Sequence, residues 1–130
     1  MPAKQEKRRR QRSKKKNDWP WPDSLDALTA APQNHNLILE NEQVRVLSVH
    51  IAPGDFVPVH THRWPSVIYT LSAGDFIRRD GDGRVLADTR SQPESKPSTV
   101  AWLGPLPPHS VENVGESEIR LFSVELKPGR

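Results

Sequence analysis

Three histidines carry the chemistry this sequence is equipped for: His60 and His62, two residues apart, and His109, far along the chain in Gly104-Pro105-Leu106-Pro107-Pro108-His109-Ser110. On a strand, residues two apart point to the same face, which sets the Cβ atoms of His60 and His62 roughly 6–7 Å apart. Both imidazoles then reach one ion, and a proline-stiffened turn aims His109 toward them as a third ligand. A lone His-x-His arises by chance on an alternating strand; the later Pro-Pro-His makes the combination far more specific. The chain has no cysteine, which removes disulfides, thiolate zinc sites, iron–sulfur clusters and cysteine nucleophiles. The expected cofactor is therefore one divalent ion held by nitrogen and oxygen ligands, drawn from Fe, Zn, Mn, Ni or Cu.

Other residues gather around this site by strand parity. Val67 and Tyr69 are expected to face the cavity, where the Tyr69 hydroxyl would hydrogen-bond a metal-bound ligand or simply pack as an aromatic. Ile68, of opposite parity, is expected outside, as is Leu103 relative to Trp102. Arg78 (or Arg79) would face inward and clamp a substrate carboxylate, the alternative being a solvated strand residue. Trp64 and Trp102 read as walls of the pocket, and Asn113 as a residue that fixes a loop or a histidine ring. His50 shares a strand with Leu47, Val49 and Ile51 but lies on its other face, so it reads as non-ligating. His35 falls in the segment ahead of the strands, with no partner at ligand spacing. Serine nucleophile elbows and phosphate-binding glycine loops are absent, which argues against triad hydrolysis and nucleotide chemistry.

The elements that must position these residues are short. A chain of 130 residues, 34% of them hydrophobic, suffices for one core and one domain. Strand-like runs bounded by Gly, Pro, Asn and Asp fall at 37–39, 44–51, 57–61, 66–71, 76–79, 85–87, 99–103, 110–114 and 119–126. Many short strands with turn signals between them indicate a β-sandwich or barrel. The expected organisation is a basic tail at 1–18, a lead-in at 19–36 and the β domain at 37–130. In the lead-in, Trp19-Pro20-Trp21-Pro22 is extended, and a short helical turn follows, capped by Asp23 or Ser24 and stopped before Pro32.

The overall charge of +3 averages two unlike segments. Residues 1–16 hold nine Lys or Arg against one Glu, which leaves ten basic and fifteen acidic residues in the rest. The basic run has no apolar residue after Ala3, so disorder is expected, either as a solvated extension or as an arm that binds nucleic acid. No stretch approaches a membrane span and no secretory leader is visible, so a soluble, cytoplasmic protein is expected.

At the histidines the sequence resembles the cupin superfamily. Gly54, His60, His62 and Gly74 match its first motif, and His109 and Asn113 its second, with Leu106 where an inner Gly is usual. The resemblance covers about 37–126 and is nearest to small bacterial cupins without an assigned reaction. It implies an all-β jelly-roll barrel with a metal near one mouth, and a homodimer. The Glu that many cupins use as a fourth ligand falls at Val67 here, or at Ser66 in the other allowed register, and neither is a good ligand. Loss of that carboxylate leaves the ion its full charge and open positions, which favours a small anionic molecule as ligand. Two function classes follow. One is a mononuclear metalloenzyme, dioxygenase-like or a lyase or isomerase; the other is a non-catalytic cupin that senses or stores a ligand or serves as a dimeric interaction module.

Overall fold

The computed structural model describes residues 18–129; the basic tail lies outside them, apart from Asp18. Among the described residues, nine strands form two antiparallel sheets. The strands are β1 (His35–Glu40), β2 (Val44–Ile51), β3 (Phe56–His62), β4 (Ser66–Ser72), β5 (Phe76–Asp80), β6 (Val85–Asp88), β7 (Val100–Leu103), β8 (Leu106–Asn113) and β9 (Ile119–Leu126). One sheet runs β1-β2-β9-β4-β7 and the other β3-β8-β5-β6. Both form the walls of a cavity, with a core of Leu47, Val49, Ile51, Val57, Phe76 and Ile119 at one side of it. No helix is long and apolar enough to cross a membrane among the described residues.

The lead-in is part of this core. A 3-10 turn (Asp23–Leu25) precedes a one-turn helix, α1 (Ala27–Ala30), and both Ala27 and the C-terminal flanking Ala31 are fully buried. Small side chains let the helix approach the sheets closely. Its N-cap is Asp26, whose carboxylate accepts from the backbone N–H of Leu28 at 3.2 Å, and not Asp23 or Ser24 as the sequence pattern suggests. Asp23 opens a separate 3-10 turn and makes no side-chain cap of α1.

Two strands differ in extent from expectation in ways that matter for the site. β1 begins at His35, so the histidine placed in the lead-in is a strand residue opposite Val49. β8 begins at Leu106 and carries Pro107 and Pro108 inside it. Prolines cannot donate to a ladder, and the β3–β8 register is interrupted between Val57 and His60 and again between His60 and His62. The tight β2–β3 turn uses Gly54 at φ +84°, a conformation that favours glycine.

Candidate metal centre

The interrupted β3–β8 ladder places His60 directly opposite His109, with ring centroids 4.3 Å apart. His62 lies 5.1 Å from His60 and 5.9 Å from His109. The structure brings a fourth ring to the group: His35 stands 4.9 Å from His60 and 5.3 Å from His62. One ligand atom each from His35, His60 and His62 lie within 4.8 Å of one another, a three-histidine cluster able to coordinate a divalent ion. The expectation that nothing pairs with His35 is thus corrected. It rests on reading His35 as lead-in, whereas the chain turns after α1 and enters β1 with His35 buried.

Each imidazole is held by its outer nitrogen. His60 Nδ1 donates to the carbonyl of Pro58 at 2.8 Å and His109 Nδ1 to that of Pro107 at 2.7 Å, each two residues upstream. His35 Nδ1 donates to the carbonyl of Ala31 at 3.0 Å, which also accepts from the Asn34 backbone N–H at 3.2 Å. His62 Nδ1 donates to Glu125 Oε2 at 2.7 Å. A carbonyl or carboxylate can only accept, so all four rings are Nδ1–H tautomers, and Nε2 is the atom with a free lone pair. Metal-ligating histidines are oriented in this way.

Glu125, fully buried, is the functional residue that the sequence reading misses. Its Oε1 accepts from Arg45 Nε at 2.6 Å, and Arg45 in turn makes a bidentate pair with Asp26, both contacts at 2.9 Å. Asp26, Arg45, Glu125 and His62 therefore form one continuous chain from the lead-in to the site. Burial alone would raise the Glu125 pKa, but the hydrogen bonds from His62 and Arg45 outweigh it and hold the group below the usual carboxylate range. A signal was present: Ser123 and Glu125 share the parity of Ile119 and Leu121 in β9, so a carboxylate falls on a face that begins apolar.

Burial pushes three of the rings down. His60 falls to about 2, through desolvation and then the neighbouring His109 and His62. His109 falls to about 3 and His35 to about 4, desolvation again leading. These imidazoles are neutral at pH 7, the form in which they ligate.

The histidines line a cavity of about 440 Å³ together with Ser66, Ile68, Thr70, Phe76, Arg78 and Trp102, among others. This placement reverses the parity expected for β4. Ile68 is buried and faces the cavity, whereas Tyr69 is exposed and Val67 is not among the lining residues. Tyr69 is therefore not positioned as a participant, and Val67 is not beside the histidines. Leu103 also lines the cavity instead of turning away. Of the two positions considered for the missing glutamate, Ser66 is the one in the cavity, directly across the strand pair from Glu125.

The remaining candidates divide. Arg78 lines the cavity, while Arg79 pairs with Glu112 at 2.9 Å. Trp102, on edge strand β7, lines the cavity with 59% of its surface exposed, which puts it at the mouth. Trp64 is not a pocket wall: its ring is approached by Arg45, Arg63 and Lys127 at 5.1–5.6 Å, outside the cavity. Asn113 does not line the cavity either. It is fully buried and ties Ile51 and Ser117 carbonyls at 2.9 Å each while accepting from Gly115 N–H at 3.0 Å, so it pins the β8–β9 turn. His50 faces out and meets Glu118 at 2.8 Å.

No family model and no curated protein sequence matches the chain. Its fold is nevertheless shared with solved structures. A cupin domain from Bordetella pertussis superimposes with a TM-score of 0.55 at 18% identity, covering 72% of this chain and 92% of that one. A double-stranded β-helix protein from Klebsiella pneumoniae gives 0.52 at 23% identity, over 74% and 76% of the two chains. An RmlC-like cupin from Methanocaldococcus jannaschii gives 0.53 at 12% identity, over 72% and 78%. The chain thus shares a cupin-like, two-sheet β fold with these structures. At these identities the likeness defines the fold and assigns no reaction.

Proposed function

We propose that this protein is a metal-binding cupin in which His60, His62 and His109, joined by His35, hold one divalent ion at the base of the cavity. The observation that carries the reading is the hydrogen bonding of the four Nδ1 atoms, which leaves Nε2 as the ligating atom of each ring, with ligand atoms of His35, His60 and His62 within 4.8 Å of one another and the His109 ring 4.3 Å from that of His60. The donor set suits Zn, Ni, Cu or Fe. Such an ion would supply Lewis acidity or redox chemistry to a molecule beside it.

The protein's own contribution is positioning and solvent exclusion. The apolar walls and the β6–β7 connection, whose residues 94–98 line the cavity, limit water entry. A mononuclear metalloenzyme of dioxygenase-like, lyase or isomerase type, acting on a small anionic molecule, is the function this arrangement supports best. The test is elemental analysis of chelator-free protein followed by loss of the ion in histidine variants.

A second reading, an interaction module, is favoured by one observation. The outer face of the five-stranded sheet carries an apolar row, Leu39, Val46, Val124 and Val67, along the register, and the next row joins Phe122, Tyr69 and Val100 to the polar Asn36 and Ser48. Apolar faces of this extent are covered by partners. A homodimer through this face is compatible with metal binding on the other side of the sheet.

A further inference from the structure

Among the described residues, two buried side-chain polar atoms have no hydrogen-bond partner in the protein: Arg78 Nε and Thr70 Oγ1. Both residues line the cavity that holds the histidines, from opposite sheets. Folded proteins leave few buried polar groups unpaired, and each one calls for an explanation. Arg78 sits opposite Val111 in the β5–β8 ladder, with its guanidinium 5.7 Å from the Phe76 ring. The nearby acids are engaged elsewhere: Asp80 accepts the backbone N–H groups of Asp82 and Arg84, Glu112 pairs with Arg79 and Asp75 with Lys96. A buried Nε–H left unpaired in an apolar wall is costly unless an acceptor joins it, and an anion suits a guanidinium best.

We propose that Arg78 is the anion anchor of this cavity and that the cavity takes a small carboxylate whose apolar body lies along Ile68, Phe76, Val111 and Leu121. The planar fork of arginine matches a carboxylate, and the facing Thr70 hydroxyl offers a second polar contact. The apolar lining favours a monocarboxylate with a hydrocarbon or aromatic body over a phosphate, whose greater charge costs more to desolvate. The proposal deepens the reading above only in placing this ligand in the histidine cavity; binding at Arg78 does not itself require the ion.

The test uses the full chain, zinc-loaded and chelator-treated, titrated with benzoate and with its neutral counterpart benzamide by calorimetry or ligand-observed NMR. Benzoate is expected to bind both forms. Arg78→Gln should weaken benzoate by about tenfold or more while leaving benzamide nearly unchanged, and Arg78→Lys should recover only part of the loss. Arg78→Met, which removes the unpaired cation, is expected to melt no lower than the wild type. Absence of benzoate binding to wild type at about 10 mM, or equal binding by Arg78→Gln, overturns the proposal. Unfolding of both Arg78→Gln and Arg78→Met would assign the guanidinium a structural role and also overturn it. Metal content measured on the same samples separates the two readings, since benzoate binding through Arg78 without metal retention would sink only the metal centre.

Discussion

At the scale of single residues, the site depends on which ring nitrogen carries the proton. Pro58, Pro107 and Ala31 carbonyls and the Glu125 carboxylate each hold one Nδ1–H. Glu125 is the most informative to change: Glu125→Gln keeps the volume but weakens the hold on His62 and on Arg45. Metal affinity should drop about 10- to 100-fold, as read by competition with a chromogenic chelator. Acid stability follows from the same burial. His35, His60 and His109 titrate at about 4, 2 and 3 in the fold, against 6.5 in the unfolded chain. Below pH 6.5 the unfolded chain takes up protons that the native protein refuses, so stability falls as pH drops toward 4. The slope reaches roughly 4 kcal/mol per pH unit for three imidazoles. Urea denaturation of metal-free protein between pH 7 and 5 measures it, and equal stability at both ends would be inconsistent with buried neutral rings. The nearness of His60, His62 and His109 was legible because motif and spacing single them out. His35 and Glu125 were not, because their roles arise from strand pairing between distant segments.

At the scale of elements, the lead-in is a structural member of the site. Asp26 caps α1 and also anchors Arg45, which grips Glu125 behind His62. Asp26→Ala should therefore cost about 2–4 kcal/mol, from the lost cap and the half-broken buried pair. The exposed Asp23→Ala should stay within about 0.5 kcal/mol. Chemical denaturation of the two variants side by side checks this, and similar losses for both would remove the special role of Asp26. The strands themselves were largely readable: 44–51 and 119–126 were expected at the bounds observed for β2 and β9. The start of β8 was not, since Pro107 and Pro108 read as a turn and are instead tolerated where the ladder is broken. Parity on β4 was also misread for a physical reason. Ser66, Ile68 and Thr70 face the cavity while Val67, Tyr69 and Leu71 face outward, so both faces carry apolar residues and alternation alone cannot say which is inside.

At the scale of the whole molecule, that same ambiguity has a use. The apolar outer face of the five-stranded sheet and the histidine cavity lie on opposite sides of the same strands, so an interface there leaves the cavity mouth open. The homodimer proposed on this face should sediment as a dimer at micromolar concentration, and Val67→Lys, in its apolar row, should shift it to monomer without loss of metal. A monomeric wild type would leave the face without the partner assigned to it. The central claim is the metal centre, and it is tested most directly by elemental analysis of protein purified without chelators or nickel resin. About one divalent ion per chain is expected, lowered by replacement of His60, His62 or His109 and abolished when these and His35 are all replaced by alanine. A wild type that binds no ion when offered Zn, Ni, Cu, Mn or Fe, or a fourfold variant that keeps a full equivalent, would contradict the account.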